Sequence, residues 1–171
     1  AFGQVFGFND QKGMSEGIRG PVSIQSAFSV CPVMIDSMQI TKSVNGAGKG
    51  KASDTMGMKH KVTSAMYVAK GSINHQLAQK TGFTDEDAEK IKEALRTLFV
   101  NDASAARPDG SMEVCKVYWW RHNCPMGQYS SAKVHRSLKI SANTELPKCF
   151  EDYSITVEAL DGLEPEVIEG V

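Results

Sequence analysis

Residues 83–100 read FTDEDAEKIKEALRTLFV, and they announce a helix. Thr84 stands at the N-cap with Asp87 three residues on, the capping-box spacing, and Phe83 can staple onto Ala88. Asp85, Glu86 and Asp87 lie in the first turn, where the helix dipole favours negative charge. Ala88, Ile91, Leu95 and Leu98, with Ala94 and Phe99 beside them, make one apolar stripe at helical spacing, which predicts a helix from Asp85 to about Val100 lying on a sheet.

Strand signals surround this helix. Val22, Ile24, Phe28 and Val30 alternate with polar residues between Pro21 and Pro32, the period of a half-buried strand. A second strand is expected within Val62 to Ile73, followed by a helical turn from Asn74 to Lys80 that Gly82 ends. Val114 to His122, Val134 to Ala142 and Tyr153 to Ala159 read as three more strands. Phe6 to Gly20, with four glycines, reads as loop. Strands interrupted by one well-defined helix indicate an α+β fold with a mostly antiparallel sheet covered on one face.

The chain has 171 residues, 41% hydrophobic and 23% charged, enough for one domain with a core and too ordered in composition for a disordered or fibrous protein. No apolar run approaches the span of a membrane helix, and the first ten residues lack signal-peptide order, so a cytoplasmic protein without membrane attachment is expected. Cys31, Cys115, Cys124 and Cys149 form no CxxC pair and are expected to be reduced core residues.

Net charge is −1, but the charges are segregated. Ser37 to Lys80 holds seven lysines against the single acid Asp54; Val114 to Lys148 holds six basic residues against Glu145. From Phe150 onward there are seven acids and no Lys or Arg. Within the first basic stretch, Ile40 to His60 has Gly46, Gly48, Gly50 and Gly57 between its lysines and reads as two short arms joined by a mobile basic tip. Lysines gathered in this way suit a polyanion more than a merely solvated loop.

Other chemistry fits less well. Gly48-Lys49 is followed by Gly50, and Gly50-Lys51 by Ala52, so a phosphate loop, which requires Ser or Thr after GK, is absent. His60, His75, His122 and His135 lack ligand spacing with the cysteines beyond the pair His122 and Cys124, so neither a metal nor a cofactor is expected. Asp85 to Asp87 are explained by the helix start. Trp119 and Trp120 on a strand face opposite sides, one toward the core and the other able to stack a base or pack a partner. No nucleophile has a recognisable setting, and no catalytic residue is assigned: a binding protein is expected before an enzyme.

Several phrases resemble a known family: Arg19-Gly-Pro-Val-Ser-Ile-Gln25, Pro32-Val33, Ile40-Thr41-Lys42-Ser43, Asp54-Thr-Met-Gly-Met-Lys-His60, Tyr67 through Gly71 to Ile73-Asn74, Lys80-Thr-Gly-Phe83, and Asp102-Ala-Ser-Ala-Ala-Arg107. From Phe2 to about Tyr153 the chain is similar to the repeating backbone subunit of type I-C CRISPR surveillance complexes, the Cas-seven family in its Csd-two form. The resemblance implies an RRM-like (ferredoxin-like) palm and a thumb-like basic arm at about residues 36–62 within a single domain. It also implies that the palm's first strand and helix come from a further N-terminal portion, so that this chain corresponds to the C-terminal part of an incomplete palm. The implied partners are CRISPR RNA, neighbouring copies of the chain, other Cascade subunits, and target DNA through the guide. Sequence-independent RNA binding would then use Lys42, Lys49, Lys51, Lys59 and Lys61 on phosphates, Arg19 and His60 as further donors, and Thr41 and Ser43 on the backbone. Met58 stands where relatives often carry a basic residue, which would weaken a phosphate contact or supply an apolar wedge. Two alternatives remain open: a metal-dependent RNA-processing nuclease using His60, His75 and His122, and a purely structural module joined through opposed charges.

Overall fold

The structure, a computed structural model, describes residues 1–7, 15–41 and 56–171. The elements in chain order are β1 (Gly3–Gly7), β2 (Ser15–Arg19), β3 (Val22–Ile24), β4 (Phe28–Ser29), β5 (Ile35–Thr41), β6 (Met56–Val62), β7 (Tyr67–Val68) and β8 (Gly71–Ile73). There follow α1 (His75–Thr81), α2 (Asp85–Arg96), β9 (Lys116–Trp120), α3 (Ser131–Ser137), β10 (Leu138–Ala142), β11 (Tyr153–Val157) and β12 (Pro165–Glu169). The strands join in antiparallel pairs, and with three helices the chain is α+β. It divides into two compact units. The first comprises Ala1–Ala27, Ala69–Lys139 and Ile155–Val171; the second comprises Phe28–Val68 and Ile140–Ser154.

In the first unit, β3 pairs with β8, Val22 opposite Ile73, and the Pro21 carbonyl accepts the Asn74 amide at 2.9 Å. Asn74 caps α1 through Oδ1, which accepts the Leu77 amide, and Gly82 closes the helix at φ 68°, a left-handed conformation that glycine adopts without penalty. The capping box of α2 is present: Thr84 accepts the Asp87 amide, and the Asp87 carboxylate accepts the Thr84 amide. These bonds hold the Asp87 carboxyl below its ordinary pKa. Their support for the fold is therefore complete above the ordinary carboxylate pKa and is lost as pH falls through the depressed one.

The helix is shorter than its stripe suggested. It ends at Arg96, Thr97 caps it, and Leu98 and Val100 stand exposed in the turn beyond. The half-buried residues Ala88, Ile91 and Leu95 form its inner face, and α2 packs against β9, as expected of a helix on a sheet. β9 pairs with β12, Trp120 opposite Pro165 and Lys116 opposite Glu169. At the end of this ladder Gly170 donates to the Cys115 carbonyl, and a side chain at Gly170 would collide with the carbonyl of Val114.

Three expectations are corrected here. The glycine-rich Phe6 to Gly20 is not all loop, because Gly7 and Ser15 to Arg19 join a regular hairpin of β1 with β2, Gly3 opposite Arg19. The strand expected from Val22 to Val30 breaks at residues 25–27 into β3 and β4, one in each unit. Val134 is not on a strand. Ser130 caps α3, which buries Val134 and Ser137, and β10 begins only at Leu138.

The second unit holds the β4–β7 pair, the β5–β6 ribbon and the outer ends of β10 and β11, and none of its described residues is buried. Asp152 organises the turn before β11 by accepting the amides of Lys148, at 2.7 Å, and Cys149, at 3.2 Å, which keep its carboxyl below the ordinary pKa. The Tyr153 hydroxyl accepts the Met66 amide at 3.3 Å. All four cysteines are free thiols. They are not core residues as expected, since Cys124 and Cys149 are exposed and Cys31 and Cys115 only half-buried.

Among the described residues no helix is long and apolar enough to cross a membrane.

Candidate functional site

The β5–β6 ribbon carries the predicted residues that the structure brings together. Its register places Asp36 opposite Lys61, Ser37 opposite His60, Met38 opposite Lys59, Gln39 opposite Met58 and Thr41 opposite Met56. Residues directly opposite share a face, and successive residues alternate. Lys59 and Lys61 therefore lie on one face with Asp36, Met38 and Ile40. Thr41 and His60 lie on the other with Ser37, Gln39, Met56 and Met58. Every residue of the ribbon except Asp36 is exposed, and Asp36 is half-exposed, so both faces are open to a partner.

The two faces differ in chemistry. On the lysine face the Lys61 ammonium sits 3.4 Å from the Asp36 carboxylate, with the two side chains 50% and 45% exposed, an ion pair wet enough to exchange with little cost. On the other face the His60 Nδ1 meets the Ser37 hydroxyl at 2.8 Å, and the Gln39 amide reaches the Met56 sulfur at 2.8 Å. Met58 is 56% exposed and lies among these side chains, on the face that the lysines do not occupy.

Arg19 is not on the ribbon: it is exposed at the end of β2 in the first unit. Lys42, Ser43, Lys49 and Lys51, with the mobile tip expected to carry them, fall outside the described residues.

The second basic stretch, Val114 to Lys148, has a different fate. Lys116 pairs with Glu169 at 2.7 Å, Lys139 pairs with Glu158, and Arg121 pairs with Asp85 at 2.9 Å. Acids of the C-terminal tail thus neutralise lysines of β9 and β10 within the chain. Glu166 likewise reaches back to Lys92 of α2 at 2.7 Å. The Trp119 ring lies 5.4 Å from the Lys92 ammonium of its own chain. Trp120 faces the opposite side, its ring 6.1 Å from that of Tyr118, and its buried Nε1 has no acceptor among the described residues.

Two of the other histidines make local hydrogen bonds. His122 Nδ1 accepts the Gln128 amide at 3.0 Å, and His135 Nε2 meets the Gly71 carbonyl at 3.0 Å. Among the described residues no three of His, Cys, Asp and Glu converge in a way that could hold a metal ion.

Asp36 went unnoticed as a member of this site, because the run of lysines was counted from Ser37. The antiparallel pairing of two equal arms is the signal that places it against Lys61.

The family model described as CRISPR-associated protein Cas7 matches residues 1–158 of the chain. No curated protein matches the chain.

Proposed function

Since the chain belongs to the CRISPR-associated Cas7 family, and so to the backbone subunits of CRISPR defence complexes, we propose that it binds the sugar-phosphate backbone of a guide RNA. It does so without regard to sequence and without catalysis, as a repeating subunit of a type I-C complex, in the Csd-two form. In this reading the first unit is part of an RRM-like palm and the β5–β6 ribbon with residues 42–55 is the thumb. Neighbouring copies, other subunits and target DNA, through the guide, complete the partners, in the cytoplasm.

The observation that carries this reading is the exposure of the ribbon, which presents Lys59 and Lys61 from one face of an arm exposed on both sides, at the root of a segment with three further lysines and only Asp54 to oppose them. Lys61 meets Asp36 in a half-exposed pair that opens at little cost, while Lys116 and Lys139 meet glutamates of the chain's own tail. Such an arm can exchange condensed counterions on a polyanion for its own ammonium groups, which yields affinity without base readout.

Photo-crosslinking of RNA to the assembled protein, with the adducts mapped by mass spectrometry, tests it. Adducts are expected on peptides spanning residues 35–62; adducts confined to residues 114–148 would overturn the assignment of the arm.

A further inference from the structure

Asp36 is the one acid on the fourteen residues of the two ribbon strands, and it stands directly across the ladder from Lys61. Its carboxylate occupies, at 3.4 Å, the kind of position that a phosphate oxygen would take on the same ammonium. Lys59 lies on the same face, two ladder positions further along, opposite Met38. We infer that Asp36 is an intramolecular competitor for Lys61, a built-in stand-in for phosphate that must be displaced before the nucleic acid can use that ammonium. This inference rests on the RNA-backbone reading above and adds a regulation of affinity to it.

The physical basis is an exchange of one ion pair for another. With both side chains about half exposed, the Asp36–Lys61 pair is weak enough to open in the time of a binding encounter. While closed, it cancels one of the arm's positive charges and holds the Lys61 side chain along the ribbon. When RNA binds, this pair must open first, and its loss offsets part of the gain from the new contact. A subunit that must settle into register along a guide gains from contacts that can still be reversed. Asp36 is a positioning residue in this account; the contact with RNA is made by Lys61.

The test is a cycle of variants in the full chain, titrated by fluorescence anisotropy with labelled oligo-uridine RNA. Asp36→Asn keeps the shape of the side chain and is expected to tighten binding about three- to fivefold, the scale of one exposed ion pair. It should also steepen the dependence of log K on log salt by about 0.7, one more counterion released from a single strand. Asp36→Glu should bind as the wild type does. In a Lys61→Ala background, Asp36→Asn should change affinity by less than about twofold, because nothing remains to be released.

Equal tightening in both backgrounds would overturn the inference, since Asp36 would then act only by repelling RNA through space. No tightening by Asp36→Asn, with wild-type binding intact, would overturn it as well. Failure of the wild type to bind oligo-uridine at low salt is a separate result: it would remove the RNA-backbone reading and the competitor with it.

Discussion

Alanine at Lys42, Lys49, Lys51, Lys59 and Lys61 together is expected to lower affinity for single-stranded RNA by a factor of about 10³ near 0.15 M salt, taking about 0.7 counterion released per phosphate contact. Five lost contacts flatten the salt dependence by about 3.5 in slope, and the loss at this ionic strength follows from that slope. The fold should survive. Both strands of the ribbon are exposed, their pairing is a backbone ladder, and the Asp36–Lys61 ion pair is a half-exposed one of the kind that adds at most about 1 kcal/mol. Circular dichroism and a melting curve unchanged from the wild type, beside the weakened anisotropy titration, would establish that binding alone was touched. A loss of affinity below about tenfold would mean that the arm is not the principal grip.

The largest effect on stability is expected elsewhere, at Lys92. Its side chain is only 12% exposed, and its ammonium reaches Glu166 at 2.7 Å and Glu89 at 2.9 Å while lying 5.4 Å from the Trp119 ring centroid. It thus ties α2 to β12 across the strand β9 on which α2 packs. The hydrogen bonds that the ammonium donates to Glu166 and then to Glu89 raise the Lys92 pKa. Its contribution is therefore intact at neutral pH and disappears as pH rises through that raised value. Lys92→Glu would bring three carboxylates together in a largely covered place, at a cost on the order of 3 kcal/mol. For a chain of this size that lowers the melting temperature by about 6–12 °C. Lys92→Met keeps the apolar stem without the charge and should lose about 1 kcal/mol. A Lys92→Glu protein that melts with the wild type would show that the tail strand is held by its ladder alone.

What could be read before the structure, and what could not, follows from which forces write themselves into local sequence. Helix α2 was plain because cap, dipole and apolar stripe are all local, and Thr84 and Asp87 make the predicted bonds. The hairpin of β1 with β2 was missed because every residue in it is exposed, so no alternation marks a buried face; backbone pairing leaves no trace in side chains. Helix α3 was hidden by the apolar run after it, since Val134 and Leu138 fit a strand as well as a single helical face. Strand β12 was overlooked in a tail that looked merely acidic, although its glutamates exist to meet Lys92 and Lys116.

Of the site, the two arms of the ribbon were legible in the sequence because glycines and interleaved lysines mark a basic tip between two short flanking segments. The separation of its residues was not drawn, although strand periodicity requires it: His60 cannot share a face with Lys59 and Lys61. Arg19 belonged to the family likeness alone, and it lies on a different hairpin in the other unit. Asp36 needed the register, which depends on which residues of two distant arms meet.

The central claim is that this arm grips the phosphate rail of RNA through its lysines, and salt tests it most directly. The wild-type chain should be titrated with two single-stranded RNAs of unrelated sequence from about 0.05 to 0.2 M salt. The account predicts that log K falls linearly with log salt for both, with the same slope of about −3.5 or steeper. A slope near zero, or strong binding to one RNA and none to the other, would contradict it.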